Sequence, residues 1–400
     1  MKNLYYRLEW FLLVIGVLGA STELTLHKNA LLSASRQDWP AFALVTGLLL
    51  IGIAAHKDNV FDAGGVLVAR LARNPLSFLL LSGALVGVVS VILNLDTAVV
   101  FTTPLLIRAA RSLKYNELPV VYLCVFMANG SSLLLPGSNL TNLIILKQEH
   151  ISTTTFAVHM FPAWIVVCAT ILILFAIFAH MRLFDQSLGR EVKKSAEEND
   201  PHKGASLLSP SHDLAKLHFG PGTIGIIVAI TTILVLPESS AAAAVLGYGI
   251  LISIPSWSRR KNNDKTSPFT NINLRTLGGL FGVATAFGAI GRTWNFPSTL
   301  LEHISSWAVG GVATLGSVVF NNLPAASIWA AHRPFHPYEL LIGLNLGPNL
   351  AVTGSLSALL WFEAARLEDS RPSLIFYSKL GLVVVPISVF LALSAVIALH

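Results

Sequence analysis

The sequence predicts an all-α polytopic membrane protein with two inverted repeats, each containing a re-entrant hairpin and a broken transmembrane helix. Of its 400 residues, 54% are hydrophobic and 12% are charged, whereas charged residues make up about 25% of a soluble globular protein. Apolar segments of 20 or more residues recur along the chain, for example at 156–178 and 374–399. Two segments inside predicted spans also share a high content of Gly, Pro, Asn and Ser.

Nine apolar segments are predicted to cross the membrane, for which a helix needs roughly 20 residues. The first segment follows Lys2 and Arg7, but no small-residue cleavage site follows it, so we expect a retained helix and not a signal peptide. The nine segments lie at about 9–26, 39–55, 117–146, 156–180, 219–236, 238–254, 277–291, 339–362 and 373–399.

Two further pairs of apolar segments are predicted to enter the membrane and return to the same side. The first pair forms a hairpin over 75–110 with a polar tip at Asn94-Leu95-Asp96, and Lys and Arg residues flank both of its outer ends. The second pair forms a hairpin over 305–331 with its tip at Asn321-Asn322. The first hairpin is predicted to enter from the cytoplasmic side and the second from the opposite side.

The charge distribution predicts that the N-terminus is cytoplasmic. With this orientation, all but five of the 27 Lys and Arg residues lie on the cytoplasmic side, as the positive-inside rule requires. Among the exceptions, Arg292 and Arg333 would either attract an anion to an outer vestibule or lie in an ordinary solvated loop. The five exceptions are Lys28, Arg36, Lys147, Arg292 and Arg333.

The order of these segments divides the chain into three parts. Residues 1–180 form the first membrane repeat, residues 181–218 form a charged cytoplasmic linker, and residues 219–400 form the second, inverted repeat. Each repeat contains a span, a hairpin, a span interrupted by Gly and Asn, and a final span, which is the pattern of an inverted-repeat carrier. The interrupted spans are 117–146 and 339–362.

The two interruptions have similar sequences, ANGSSLLLPGSNLTN at 128–142 and LNLGPNLAVTGSLS at 344–357. Setting Gly137-Ser138 against Gly354-Ser355 superposes them at an offset of 217 residues. A backbone group without a partner costs several kcal/mol in hydrocarbon, so we expect such breaks only beside a polar cavity. Free N–H groups there suit a polar or anionic oxygen, and free carbonyls suit a cation. The alternative is that Gly and Ser only allow close helix packing.

Asp96 is the single carboxylate that the sequence places at membrane depth, where acids are costly and usually functional. The alternative is an acid that pairs with Asn or Arg to hold the hairpin tip. Four polar interruptions at one depth predict an alternating-access carrier and not an enzyme. A membrane-embedded enzyme would need clustered acids or histidines, and a passive channel would have a continuous pore.

Several other kinds of site are not expected. The chain has no phosphate-binding loop, no HExxH motif and no GxSxG motif. Its two cysteines, Cys124 and Cys168, are too few for a disulfide framework or a cysteine-rich metal site. We therefore expect no cofactor, no metal site and no nucleic-acid partner.

With these residues in view, the chain resembles the arsenite and antimonite efflux permeases of the ion transporter superfamily, which also contains sodium-coupled dicarboxylate carriers. The resemblance implies an elevator-type carrier in the plasma membrane, the inner membrane in bacteria, that is commonly a homodimer and in some relatives docks a soluble ATPase. The similar stretches are NLDTAVVFTTPLL (94–106), GSNLTNLI (137–144), VVFNNLPA (318–325) and GLNLGPNLAVTGSLSALLW (343–361).

The resemblance also implies a substrate site between the hairpin tips and the helix breaks. Asp96 in the first tip is expected to couple transport to H⁺ or Na⁺. The chain departs from the arsenite permeases by having Asn345 where they carry an acid, and by lacking one N-terminal span. The implied substrate-binding residues are Asn94, Thr97, Gly137, Ser138, Asn139, Asn142, Asn321, Asn322, Asn345, Gly347, Gly354 and Ser355.

The expected function is secondary active transport of a small inorganic oxyanion or oxyacid, such as arsenite, coupled to an ion gradient. Arsenite near neutral pH is an uncharged hydroxide, which fits a pocket of amide and hydroxyl groups. A dicarboxylate or sulfate would instead gain from exposed helix N-termini. A sodium- or proton-coupled carrier of those anions is therefore the alternative.

Overall fold

A computed structural model describes residues 2–147, 149, 151–181, 183–184, 219–236, 238–258 and 274–398. The regular secondary structure of these residues is entirely helical. Four of the described helices, Lys28–Lys57, Pro75–Ile92, Thr153–His180 and Leu374–Ile397, are long and apolar enough to cross a membrane. Five shorter apolar helices accompany them. The chain is therefore an all-α polytopic membrane protein. The predicted linker lies outside the described residues, apart from 181, 183 and 184.

The helices are numbered here in chain order. The first half contains α1 (Lys2–Leu26), α2 (Lys28–Lys57), α3 (Val60–Leu71), α4 (Pro75–Ile92), α5 (Leu95–Ser112), α6 (Leu118–Ser131), α7 (Leu140–Leu146) and α8 (Thr153–His180). The second half contains α9 (Pro221–Val235), α10 (Glu238–Ser258), α11 (Leu274–Thr293), α12 (Phe296–Glu302), α13 (Ser306–Phe320), α14 (Asn322–Trp329), α15 (Pro337–Leu346), α16 (Leu356–Leu367) and α17 (Leu374–Ile397).

Two pairs of consecutive helices, α4–α5 and α13–α14, are joined by very short polar links. In the first pair, the Asn94 side chain accepts a hydrogen bond from the Thr97 N–H at 2.6 Å and caps α5. Asp96 therefore lies in the first turn of a helix and not in the connecting tip. In the second pair, Asn321 caps α14 in the same way, through the Leu323 N–H at 3.3 Å. Short polar side chains before a helix favour such caps.

Both predicted spans that contain the Gly- and Pro-rich stretches are interrupted. Helix α6 ends at Ser131 and α7 begins at Leu140, while α15 ends at Leu346 and α16 begins at Leu356. Asn139 and Ser355 are the N-caps of the second pieces, and both have extended backbone. The two interruptions therefore match at an offset of 216 residues, one fewer than the Gly-Ser superposition predicts. The N-cap role, which Asn and Ser share, determines the match.

Most of the helices form two packed groups, while α3 packs on α2, α4 and α5, and α12 packs on α14. The flanking group consists of α1, α2, α9, α10 and α11, and the site group consists of α4 to α8 and α13 to α17. Within the flanking group, α1 packs on α11 and α2 packs on α10, so that helices from opposite halves are direct neighbours. A β-carbon on Gly47 would lie 2.7 Å from the backbone of Val245, which shows how closely α2 and α10 approach. Each half therefore supplies helices to both groups.

Two ion pairs join the two halves of the chain. Arg108, in the second arm of the first hairpin, pairs with Glu368, which follows α16. Arg333, which follows the second arm of the second hairpin, pairs with Glu149 after α7 at 3.2 Å. Each ion pair therefore connects a hairpin of one half to the interrupted helix of the other half. The charge distribution predicts the first pair on the cytoplasmic side and the second pair on the outer side.

Helix α2 differs most from its predicted bounds. It begins at Lys28, whereas the hydropathy pattern predicts a span from residue 39, so Gln37 and Asp38 lie inside a helix. Asp38 is only 2% exposed. Asp38 is therefore a buried carboxylate that the hydropathy pattern places outside the span. Of the two interpretations of Arg292, the solvated loop is wrong, because Arg292 lies in α11 and donates a hydrogen bond to Gln37. Packing between helices thus provides partners for Gln37 and Arg292, which hydropathy places outside the spans.

Candidate functional site

A small cavity lies where the hairpins and the interrupted helices meet. The first residues of four helices line it, together with Leu280 of α11. The lining residues are Leu95 and Asp96 of α5, Asn139, Leu140 and Thr141 of α7, Asn321, Asn322 and Leu323 of α14, and Ser355, Leu356 and Ser357 of α16. The polar interruptions that the sequence identifies are therefore brought together from both halves of the chain.

The cavity has a volume of about 30 Å³. A water molecule occupies about 30 Å³ in the liquid, and a cavity needs roughly 10–15 Å³ of accessible space to hold one. The cavity therefore has room for one or two waters. A larger solute requires the surrounding helices, which include both hairpins, to move apart.

The electrostatics of the cavity combine helix ends with one carboxylate. The N-terminus of an α-helix carries a partial positive charge of about half a unit, together with N–H groups that lack intrahelical partners. Such ends bind anionic and polar oxygens. Asp96 is the charged residue among the lining side chains, and no Lys or Arg residue lines the cavity. The cavity can therefore provide donors for an oxygen-rich solute and a carboxylate for a proton or cation.

The Asp96 side chain has no hydrogen bond or ion pair with any other described residue. The alternative in which a tip acid pairs with Asn or Arg is therefore not found in this part of the chain. Thr141 is only 1% exposed, and its hydroxyl also lacks a partner among the described residues. The same is true of the Asn94 amide nitrogen and the Thr97 hydroxyl beside the first tip. Buried polar atoms without partners cost about 1–3 kcal/mol each, so they suggest ligand contacts.

Asn345 lies behind the cavity and makes four hydrogen bonds. Its amide nitrogen donates to the Asn142 side-chain oxygen and to the Leu341 carbonyl, both at 2.8 Å. Its amide oxygen accepts from the Ser132 hydroxyl at 2.8 Å and from the Asn139 amide. These four bonds use all the hydrogen-bonding capacity of an amide group. Asn345 therefore holds the first interruption in place from the second half.

Asn129 of the first half makes the corresponding contacts to the second interruption. Its amide nitrogen donates to the Asn349 side-chain oxygen at 2.7 Å, and its amide oxygen accepts from the Ser357 hydroxyl at 3.5 Å. Asn129 lies ten residues before the N-cap Asn139, as Asn345 lies ten residues before Ser355. The site prediction does not include Asn129. The 216-residue spacing between the two asparagines is the sequence signal that could have identified it.

The first interruption satisfies its free carbonyls with its own side chains. The Ser132 carbonyl accepts from the Ser138 hydroxyl at 2.9 Å and from the Asn142 amide at 2.7 Å. The Leu135 carbonyl accepts from the same amide at 3.2 Å. These carbonyls, which are expected to suit a cation, therefore already have donors. Ser138 and Asn142 lie in the framework of the break and not on the cavity surface.

The three predicted site glycines lie away from the cavity surface. A β-carbon on Gly347 would collide with the Ser317 hydroxyl and the Thr314 carbonyl of α13, so Gly347 allows two helices to touch. A β-carbon on Gly354 would lie 2.8 Å from Cα of Pro348. Gly137 has ordinary contacts with apolar side chains. Helix packing therefore accounts for Gly347.

The structure separates the predicted residues into two layers. Asp96, Asn139, Asn321, Asn322 and Ser355 line the cavity. The side chains behind the surface include Asn94, Thr97, Ser138, Asn142 and Asn345, all of them buried. Polar residues that the prediction omits are Thr141 and Ser357 on the surface, and Asn129, Ser132 and Asn349 behind it.

Asn321 has a strained backbone. Its φ of 73° and ψ of 149° lie in a region that is essentially restricted to glycine and costs other residues about 1–3 kcal/mol. The Asn321 amide donates to the Thr353 carbonyl at 3.0 Å, which links the second tip to the second interruption. Strain of this kind persists only where surrounding contacts enforce it. The second hairpin tip is therefore held in a conformation that it would not adopt alone.

Comparisons with known proteins identify related membrane proteins, several of which are named as pumps or transporters. The chain is 24% identical over 382 residues to the 46 kDa membrane protein of Mycobacterium leprae, and the alignment covers 89% of this chain and 85% of that protein. It is 23% identical over 387 residues to an arsenical pump membrane protein of Escherichia coli, covering 89% and 86% respectively. An uncharacterized transporter of Mycobacterium tuberculosis is 23% identical over 408 residues, covering 95% and 89%.

The family model for the citrate transporter matches residues 10–333, which is most of the chain. This range includes the first hairpin, the first interrupted helix and the second hairpin. The arsenical pump relatives confirm the resemblance to the arsenite permeases of the ion transporter superfamily. The chain is thus a member of the citrate transporter family.

Proposed function

We propose that this protein is a secondary active transporter that moves a small oxyanion or oxyacid across the plasma membrane by alternating access. The main observation behind this proposal is the meeting of four helix N-termini and one carboxylate in a single cavity between the two halves. N–H groups and amides would bind the oxygen atoms of the solute. Asp96 would bind the coupling proton or sodium ion.

The lining of the cavity favours a solute of low charge. With no Lys or Arg residue among the lining residues, only helix ends and neutral side chains offset the charge of an anion. An uncharged oxyacid such as arsenite needs hydroxyl and amide partners, and Asn139, Asn322 and Ser355 provide these groups. The printed name of the Escherichia coli relatives, arsenical pump membrane protein, favours the same class of solute.

The repeated order of elements suggests how access alternates. Each half has a hairpin, an interrupted helix and a long apolar helix in the same order. We propose that the two halves are inverted repeats and that the site group moves against the flanking group, as in an elevator-type carrier. The N-terminus would lie on the cytoplasmic side. The protein would be a homodimer and would not require an ATPase partner. The reciprocal ion pairs of Arg108 and Arg333 fit an arrangement related by internal twofold symmetry.

A second candidate is a sodium- or proton-coupled carrier of a dicarboxylate or sulfate. The match to the citrate transporter family favours this candidate. The helix N-termini would offset part of the anion's charge, and a bound cation at Asp96 would offset more. A dicarboxylate requires a larger expansion of the cavity than arsenite does.

Transport into proteoliposomes distinguishes these candidates. Uptake of arsenite, sulfate and succinate would be measured with an imposed proton gradient, an imposed sodium gradient and no gradient. The expected result is gradient-dependent accumulation of arsenite above the level in protein-free liposomes. Accumulation of sulfate or succinate alone would support the second candidate, and equilibration without accumulation under every gradient would contradict coupled transport.

A further inference from the structure

Gln37 of α2 joins two helices of the site group to the flanking group. Its side chain is 7% exposed. The amide nitrogen donates to the Ile144 carbonyl at 3.2 Å and to the Ala330 carbonyl at 2.9 Å. Ile144 belongs to the last turn of α7, and Ala330 is the C-cap of α14. One amide group therefore binds the C-terminal ends of helices from both halves.

These two helices are the ones whose other ends reach the cavity. Helix α7 has 7 residues and α14 has 8, so at 1.5 Å per residue each is roughly 10–12 Å long. The last carbonyls of a helix have no intrahelical donors and carry partial negative charge. Gln37 thus provides an external donor at the ends remote from the cavity. The positions of both short helices depend on contacts at each end.

Arg292 of α11 orients the Gln37 side chain. Its guanidinium donates to the Gln37 side-chain oxygen and to the Gly288 carbonyl, the latter at 2.7 Å. Because the amide oxygen accepts from Arg292, the amide nitrogen faces the two carbonyls. A cation near two helix C-termini is also electrostatically favourable. The neighbouring Asp38 interacts electrostatically with Arg292.

Helices α11 and α14 pack closely beside this hydrogen bond. A β-carbon on Gly291 would lie 2.5 Å from the Ile328 carbonyl and 2.8 Å from the Ala331 side chain. The absence of a side chain on Gly291 therefore lets the two backbones lie directly against each other. The bond from Gln37 adds a directional contact to this packing at the C-terminal end of α14, in addition to the Arg333–Glu149 ion pair that follows the helix.

We propose that Gln37 and Arg292 form an anchor that keeps the second hairpin closed. Opening the hairpin alone requires Gln37 to release the Ala330 carbonyl, whereas movement of the whole site group would also break its bond to the Ile144 carbonyl. Gln37 and Arg292 are positioning residues, since neither lines the cavity. The anchor rests on the proposed alternating access, but its effect on the hairpin is measurable without any transported solute.

A thiol-labelling experiment measures the anchor directly. Both native cysteines, Cys124 and Cys168, are replaced by Ser, and Ser327→Cys introduces one buried thiol in α14. The rate of maleimide labelling in proteoliposomes without solute then reports how often α14 leaves its place. Gln37→Met removes the donor at similar length, and we expect it to raise the labelling rate at least about fivefold, since each hydrogen bond contributes about 1 kcal/mol.

Four further variants separate the anchor from other effects. Gln37→Glu keeps the acceptor for Arg292 but removes the donor, so it should raise labelling as Gln37→Met does. Arg292→Lys should raise the labelling rate less than Arg292→Met does. Arg36→Met changes the exposed neighbour of Gln37 in α2 and should leave the rate unchanged.

Global unfolding is monitored at Cys124, which is fully buried and remains as the single thiol in a parallel set of variants. Faster labelling at position 327 with unchanged labelling at Cys124 supports the anchor. Equal rates at position 327 in the parent and in both Gln37 variants would overturn it, as would a matching increase at Cys124. Failure of transport in the parent protein would contradict the proposed function and leave the labelling result unaffected.

Discussion

Asn129 and Asn345 occupy equivalent positions in the two interrupted helices, and each amide bonds to the interruption of the opposite half. Asn129 reaches Asn349 at 2.7 Å, and Asn345 reaches Asn142 at 2.8 Å. Both asparagines are fully buried. Because the bonds run in both directions, moving one interruption disturbs the other. The two halves of the site therefore respond as a unit to whatever enters the cavity.

Asn345→Asp should make transport strongly dependent on pH. A carboxylate has no donor for the Asn142 oxygen and the Leu341 carbonyl, which the Asn345 amide now serves. A protonated carboxyl restores one donor, so activity should be present at low pH and should fall as pH rises. Each lost donor costs about 1–3 kcal/mol. Initial uptake rates between pH 5 and pH 8 in proteoliposomes provide the measurement.

Asn345→Ala is the control for that experiment, because it removes the amide without adding a group that titrates. Transport by Asn345→Ala should be impaired equally at every pH. A flat pH profile for Asn345→Asp at the parent rate would show that the two donors of Asn345 are dispensable.

Asp96→Asn should abolish gradient-driven accumulation and leave the fold intact. The change keeps the shape of the side chain but removes the group that would bind a proton or cation. Because a charge at membrane depth is costly, thermal stability should be equal or higher. Uptake under imposed gradients and thermal unfolding in detergent test both parts. Asp369→Asn, on the exposed surface, is the matched control, and unchanged accumulation in Asp96→Asn would remove the coupling role.

Thr141→Val should weaken solute or ion binding while leaving stability almost unchanged. The Thr141 hydroxyl lines the cavity and has no partner among the described residues, so its removal breaks no bond in that part of the chain. Loss of one hydrogen bond to a bound species corresponds to about 1 kcal/mol, or roughly a fivefold increase in KM. Kinetic analysis of uptake gives this value.

Ser388→Ala provides the comparison for Thr141→Val. It removes another buried hydroxyl without a described partner, in α17 and away from the cavity. KM should stay at the parent value in Ser388→Ala. Equal KM values in the two variants would mean that the Thr141 hydroxyl does not contact the transported species.

Glycine should be favoured over alanine more strongly at the second hairpin tip than at the first. Both Asn94 and Asn321 are helix N-caps, where glycine is preferred to alanine by roughly 1 kcal/mol. At Asn94, where φ is −176°, the extended backbone suits any residue, so only this cap preference should separate Asn94→Gly from Asn94→Ala. At Asn321, where φ is 73°, relief of strain should add about 1–3 kcal/mol to the advantage of Asn321→Gly over Asn321→Ala. Thermal unfolding of the four variants gives both differences, and equal differences at the two tips would contradict strain at Asn321.

Hydropathy and the Gly, Pro and Asn interruptions were sufficient to predict the helical membrane architecture. They also identified the segments that meet at the cavity, including Asp96 and Asn139. They placed the internal match one residue off, because Gly137-Ser138 and Gly354-Ser355 look alike whereas the N-caps Asn139 and Ser355 differ in residue type.

The polar residues that sequence reasoning missed lie inside predicted spans or beyond their ends. Asn129 lies at the start of the Gly- and Ser-rich stretch of the first interruption, and its partner Asn349 is 220 positions away. Gln37 and Asp38 precede the apolar part of α2, so hydropathy assigned them to a loop. Their partners Arg292 and Ala330 come from helices more than 250 residues later. Contacts of this range depend on tertiary packing, which a local pattern does not report.

The hydrogen bonds across the two interruptions also bear on how the chain is made. Asn139 and its acceptor Asn345 are separated by 206 residues, and a ribosome adds about 5–20 residues per second. The first-half asparagines are thus synthesised roughly 10–40 seconds before their partners exist. During that interval their amides need water, the insertion machinery or a temporary neighbour. Biogenesis of this protein should therefore be more sensitive to loss of a membrane insertase than its apolar helices alone would suggest.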